Sequence, residues 1–278
     1  MPDKKTIELS STKIIFLGDI SGVLGREGVQ KIIPQWRKKY SPDIIIGNIE
    51  NLAHNKGVTL KTIKEMSDAG VEIFTGGNHI WKKYDITQLA EETDYKLATA
   101  INDSRTPDKY RSQKVKINGT DLIVLNLQGQ TFVDYEDEQI GNPFIKINEI
   151  LENLPKDANI IIDMHAEATS DKRAMGLYLD GRVSAVLGTH THVPTADAQI
   201  LENGTGYITD IGMIGAYPSV LGIKQEIIIE KFITEDKIIH DLPRTGQIEI
   251  NAVLLEIDNK THKTLNIKLL REIINPVK

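Results

Sequence analysis

Five times this chain drives an apolar run into a polar residue of one restricted kind. The runs are KIIFLGD (13–19), IIIGNIEN (44–51), VEIFTGGNH (71–79), ANIIIDMH (158–165) and VSAVLGTHTH (183–192). Isoleucine- and valine-rich stretches of this length, apolar on both faces, read as strands of a parallel sheet covered on each side. Between the first three runs lie helical patterns: Val29, Ile32, Ile33, Trp36 and Tyr40, then Leu60, Ile63 and Met66, with Gly70 placed to end the second. Pro34 lies inside the first pattern, so that helix either starts late or kinks. The tips Asp19, Glu50 and Asn78 follow one another by 31 and 28 residues, a spacing that suits successive βαβ units with right-handed crossovers.

The middle of the chain changes character. Lys114 to Gly129 reads as a hairpin about Asn118-Gly119, a dipeptide favoured in tight hairpin turns. An acidic loop, Asp134 to Glu138, follows as a solvated lid edge, and Phe144, Ile147, Ile150, Leu151 and Leu154 mark another helix. The tail from Gly246 to Arg271 alternates as an antiparallel hairpin turning near Asp258 to Lys260. Without repeats or linkers, we expect a flexible extension over residues 1–12 and a single α/β domain over 13–278, with about 80–145 partly a cap.

Alone, each polar tip has a bland explanation. Gly-Asp after a strand is often a helix N-cap, Gly-Asn is a common turn, and a lone histidine such as His165 is often a satisfied core residue. Together they do not. In a parallel sheet the carboxyl ends of the strands share one edge, and His190 and His192, two apart, share a face of an extended chain. Asp19, Glu50, Asn51, Asn78, His165, His190 and His192 therefore converge as oxygen and imidazole donors. There is no cysteine, so thiolate sites and disulfides are excluded, and the donor set suits manganese, iron, zinc or cobalt. Seven side chains are too many for one ion and enough for two divalent ions sharing a carboxylate. Such a pair, with two carboxylates and a hydroxide, leaves a small positive charge for a phosphate oxygen, and two-metal sites are a recurrent solution for displacement at phosphorus.

The motifs GDISG, GNIEN, GGNHIW, DMHAEATSDK and GTHTHVPTAD, in this order, resemble the calcineurin-like metallophosphoesterases, and more closely the YmdB-like bacterial phosphodiesterases. The resemblance covers about Lys13 to Leu270. It implies a four-layer αββα sandwich of two mixed sheets. One metal would take Asp19, Glu50, Asn51 and His192, and the other Glu50, Asn78, His165 and His190. His79 would protonate the leaving group while a metal-bound hydroxide attacks phosphorus. It further implies small nucleotide phosphodiesters as substrates, most of all 2′,3′- or 3′,5′-cyclic nucleotides, iron or manganese as the metals, and a homo-oligomer. The chain departs from the wider superfamily in three places: Ser21 stands where a histidine is usual, Glu50 replaces the bridging aspartate, and Ile80 follows His79 in place of an acid.

Three further positions are candidates for substrate contact. Arg26 either meets a phosphate at a helix start or serves the surface. Glu167 and Thr169, with Ser170, would flank the site and orient His165. Asp210 would support a neighbouring strand, and Trp81 reads as packing. Other readings of the same site are a phosphomonoesterase or nucleotidase, or a regulator that binds a nucleotide or partner with little turnover. A net charge of −6 gives no footprint for long nucleic acid. The polar N-terminus lacks an apolar signal segment and no run approaches a membrane span, so a cytoplasmic protein is expected.

Overall fold

In the computed structural model, residues 11–132, 139–235 and 241–275 are described. Most of the expected N-terminal extension and the acidic lid edge from Asp134 to Glu138 lie outside the described residues. The first strand begins at Ser11, two residues before the expected start of the domain.

Along the chain run β1 (Ser11–Leu17), β2 (Asp19–Ile20), α1 (Gly22–Tyr40), β3 (Ile44–Asn48), α2 (Leu60–Asp68), β4 (Ile73–Thr75), α3 (Ile86–Glu92) and β5 (Leu97–Ala98). Next come β6 (Gln113–Ile117), β7 (Thr120–Gln128), α4 (Pro143–Leu151), β8 (Ala158–His165), α5 (Thr169–Tyr178) and β9 (Ala185–Thr189). The chain continues through β10 (Gln199–Ile200), β11 (Gly206–Ile208), β12 (Met213–Tyr217), α6 (Gln225–Thr234), β13 (Gln247–Asp258) and β14 (Thr264–Ile274).

Two mixed sheets result. One runs β2-β12-β13-β1-β3-β4-β5, with β14 on the other edge of β13; the second runs β10-β11-β9-β8-β7-β6. Parallel pairing joins β1, β3, β4 and β5 in the first, and β7, β8, β9 and β11 in the second. The period of two along a strand divides the apolar residues between layers. Ile15 and Leu17 of β1 and Ile45 of β3 pack towards the helices with Ile32, Trp36 and Ile63. Their neighbours Ile14, Phe16, Ile44 and Ile46 face the other sheet and meet Val124, Ile161 and Leu187. A third cluster joins Ile123, Leu125 and Ile162 of the second sheet to Ile147 and Met175 of its helices. Three apolar interfaces between four layers make the αββα sandwich.

The expected hairpins form, about Asn118-Gly119 and between β13 and β14. Both turn residues of the first have positive φ, 50° and 84°, as a two-residue hairpin turn requires. Gly70, φ 101°, follows α2 as expected. Helix α1 begins at Gly22, so it does not start late, and it runs on past Pro34, which is exposed, as is Gln30, whose carbonyl loses its helical partner there. Ser21, not Asp19, occupies the N-cap position of α1, so the bland reading of Asp19 as a cap falls away. Within the stretch 80–145, expected to be partly a cap, β5, β6 and β7 are sheet strands whose Leu97, Leu122, Val124 and Leu125 are buried.

Candidate metal centre

Each predicted tip residue reaches the same edge of the sandwich. Asp19 and Glu50 come from the first sheet, His165 ends β8 of the second, and His190 and His192 follow β9. Glu50, His165 and His190 place ligand atoms within 4.8 Å of one another. Asn78 turns its Oδ1 to His165 Nε2 at 3.1 Å.

The three histidines share a pattern. One ring nitrogen of each is tied to an outer acceptor and the other is left facing the cluster. His165 Nδ1 lies 2.9 Å from the Thr189 hydroxyl, which donates onward to Asp163 Oδ1 at 2.7 Å. That hydroxyl therefore accepts from Nδ1–H and leaves the Nε2 lone pair facing inward. His190 meets Glu167 Oε2 through Nε2 at 3.0 Å, and His192 meets the Leu221 carbonyl through Nδ1 at 3.3 Å. Such outer partners fix ring orientation in metal sites.

The inward atoms demand a cation. His165 Nε2 and His190 Nδ1 are 3.0 Å apart, with Glu50 Oε1 3.3 Å from the former. Asp19 is fully buried and its Oδ1 has no hydrogen-bond partner, while Oδ2 accepts from the His190 amide at 3.0 Å. Burial by itself raises a carboxyl, and it raises Asp19. In Glu50 burial is overcome by the adjoining His165 and His79, which hold the carboxyl well below its ordinary value. Burial would likewise lower His165, but Glu50, Asp19 and Asp163 push it up to about 9; burial and the His165 charge push His190 down to about 3. The buried carboxylates thus draw positive charge to the point where Glu50 and His165 meet. Imidazole nitrogens, buried carboxylates and an orphaned oxygen fit divalent metal ions, which would take the place of the proton that the carboxylates hold on His165.

His79 lies at the edge of this cluster, with its side chain 27% exposed. Its backbone amide donates to Glu50 Oε2 at 2.8 Å, and its Nδ1 meets Asn51 Oδ1 at 3.1 Å. Asn51 is the orienting partner that Ile80 does not provide. The carboxamide nitrogen of Asn51, rather than its oxygen, faces Glu50 Oε1 and His192 Nε2, each at 3.1 Å. In this orientation Asn51 holds His79; to ligate a metal through oxygen it must turn over.

The candidates for substrate contact fare differently. Arg26 lies within α1, pairs with Glu65 at 2.6 Å and donates to the Leu52 carbonyl, so its guanidinium is engaged on the wall of the cavity beside the site. Glu167 orients His190 in place of His165, and Thr169 and Ser170 are exposed at the start of α5. Trp81 is covered by the Arg105 guanidinium, 4.6 Å from its ring centre.

Several contributors escaped the sequence reading. Asn48 is fully buried and reaches across to the second sheet, donating to Asp163 Oδ2 at 3.1 Å and to the Gly76 carbonyl at 2.7 Å. It also accepts from the Glu50 amide at 3.1 Å, fixing the turn that delivers Glu50. Asp163 had a signal: a carboxylate inside an apolar strand, two residues before His165. Asp210, which the sequence did single out as a support for a neighbouring strand, accepts from Thr191 N at 3.0 Å, from its hydroxyl at 2.7 Å, and from the buried Lys172 ammonium at 2.6 Å. These bonds hold the loop in which His190 and His192 adopt φ of 99° and 66°, conformations that cost about 1–3 kcal/mol each in L residues.

Gly77 is a cradle of its own. A Cβ there would stand 2.3 Å from His165 Nε2 and 2.4 Å from Glu50 Oε2. Gly77→Ala should therefore leave the sandwich folded and lower metal affinity about 10- to 100-fold, the usual cost of displacing what supports a ligand. Metal titration followed by thermal shift checks this; undiminished affinity would show that the cluster does not bind metal at this point.

A four-layer sandwich with oxygen and imidazole donors at its strand tips defines the calcineurin-like metallophosphoesterases, a class of phosphoric ester hydrolases that employ divalent metals. The NAD nucleotidase of Haemophilus influenzae shares the fold, with a TM-score of 0.55 at 11% identity over 95% of this chain and 56% of that one. Within that class the chain belongs to the YmdB-like protein family, whose profile matches residues 15–270. It is 41% identical to the 2′,3′-cyclic-nucleotide 2′-phosphodiesterase of Bacillus subtilis (strain 168) over 264 residues, 95% of this chain and 97% of that protein. A crystal structure of a novel phosphatase from Mycoplasma pneumoniae superposes with a TM-score of 0.87 at 33% identity, covering 96% of this chain and 95% of that one. The protein is thus an enzyme of phosphoric ester hydrolysis. Among the described residues no helix is long and apolar enough to cross a membrane.

Proposed function

We propose that the protein is a phosphodiesterase for small nucleotide phosphodiesters, above all 2′,3′-cyclic nucleotides, working with two divalent metals, iron or manganese. The observation that carries this is His79: its Nδ1 is held by Asn51 while the ring borders a cavity that reaches the metal cluster. A histidine so placed offers Nε2–H to an oxygen leaving phosphorus. Glu50 would bridge the metals; Asp19 and His192 would complete one site, and Asn78, His165 and His190 the other. Bound there, the metals would supply an activated water and offset charge on the phosphoryl oxygens. The relative from Bacillus subtilis supports the cyclic substrate by its name.

The test is steady-state turnover of the protein loaded with manganese or iron. A 2′,3′-cyclic mononucleotide and bis-p-nitrophenyl phosphate should be hydrolysed faster than p-nitrophenyl phosphate. Faster monoester turnover would make the protein a phosphatase, the reading that the Mycoplasma pneumoniae structure's description favours.

A further inference from the structure

The cavity that meets His79, Asn51 and His192 has a volume of about 1230 Å³. Pockets for drug-sized ligands usually occupy roughly 300–1,000 Å³, so this one exceeds what a small compact ligand needs. Its lining combines two chemistries. Val23 and Leu221, 43% and 47% exposed, line it together with Leu242 and Pro243, a surface that no core explains and that suits the face of a nucleobase. The same lining carries Lys56 and Lys61, from the turn after Glu50 and the first turn of α2, and Lys83, shortly after His79.

In all, five basic side chains line the cavity against two acidic ones, although the whole chain carries a charge of −6. Both acids are already engaged: Glu65 with Arg26, and Asp241 with Lys224. Among the described residues Lys56, Lys61 and Lys83 have no ion pair. A surplus of uncommitted cations confined to one cavity of an acidic protein focuses the field there and attracts an anion. The scissile phosphodiester does not account for them, since its charge falls to the metals.

Resting on the phosphodiesterase reading above, we propose that the cavity binds a second, non-reacting phosphate, and that the substrate is a short oligonucleotide whose terminal nucleotide carries the 2′,3′-cyclic phosphate. The terminal nucleotide reaches the metals and His79. The preceding phosphodiester lies on Lys56, Lys61 and Lys83, with a base against Val23 and Leu221. The reaction itself is unchanged: water adds to phosphorus, one ring P–O bond breaks, and the departing ribose oxygen takes a proton. Length is limited by the cavity, in keeping with a chain whose net charge is −6.

The experiment compares kcat/KM of the metal-loaded protein for three substrates: a 2′,3′-cyclic mononucleotide, the same compound bearing a 5′-phosphate, and a dinucleotide ending in the cyclic phosphate. The dinucleotide should exceed the mononucleotide by about tenfold or more, the worth of charge-assisted bonds to one phosphate. In Lys56→Ala/Lys61→Ala/Lys83→Ala that ratio should collapse towards one. A second readout is equilibrium binding of the 3′-phosphorylated products. The dinucleotide product should show a steeper dependence of log K on log salt than the mononucleotide product, by about 0.7 for one further phosphate contact, and the triple variant should lose the difference.

A ratio near one in the unaltered protein, or one that survives the triple substitution, overturns the proposal while leaving the phosphodiesterase reading intact. An equal gain from the 5′-phosphate alone overturns the oligonucleotide as its source. Failure to hydrolyse any of the three overturns both readings.

Discussion

Glu50→Gln should lose metal and fall in phosphodiester turnover by at least about 10³-fold, because several kcal/mol of charge stabilisation vanish with the ions and each ~1.4 kcal/mol is a factor of ten. The substitution is nearly isosteric. A glutamine oxygen can still accept from the His79 amide, which now donates to Glu50 Oε2 at 2.8 Å, so the turn is preserved. What disappears is the charge that pushes His165 up and draws a cation to the centre of the cluster. Elemental analysis of the folded variant decides the matter. Two equivalents of tightly held metal in Glu50→Gln would sink the bridging role, whatever the activity.

His79→Ala should behave in the opposite way, keeping metal and slowing turnover of a cyclic nucleotide by about 10²–10⁴-fold, the usual worth of a general acid. The side chain is not in the cluster's centre; it sits on the rim, partly exposed, and touches Asn51 Oδ1 and, at 3.5 Å, Glu50 Oε1. A leaving group that needs no proton provides the control. Bis-p-nitrophenyl phosphate releases a stabilised phenolate, so its turnover should fall far less than that of a ribose ester. Equal losses on both substrates would assign His79 a structural role. With Glu50→Gln, the pair separates holding the metals from assisting the departing oxygen.

Much of the fold and of the candidate centre was legible in the chain itself. Continuous apolar runs, helical patterns between them and a metal-type residue after each run announced parallel strands sharing a functional edge. The order of the motifs announced the family. Legibility failed where a residue's role depends on a partner far along the chain. Asn48 read as turn chemistry, yet it is buried and bonds to Asp163, 115 positions away, across the gap between the two sheets. Arg26 was weighed as a phosphate contact, yet Glu65 of another helix holds it. Glu167 was assigned to His165, two residues before it, but the fold turns it to His190.

The sequence by itself determined which residue types stand at the strand tips, because burial of a strand on both faces makes the run apolar throughout, so that the polar residue ending it stands out in any single run. Only the tertiary structure decided what each tip residue faces. That Asn51 orients His79, that Thr189 and Asp163 back His165, and that Lys56, Lys61 and Lys83 share one cavity with apolar Val23 and Leu221 all follow from how two sheets cross and where their connections land. Hydrogen bonds and ion pairs act over about 3–4 Å in space with no regard for separation along the chain, whereas a periodic pattern records only local exposure.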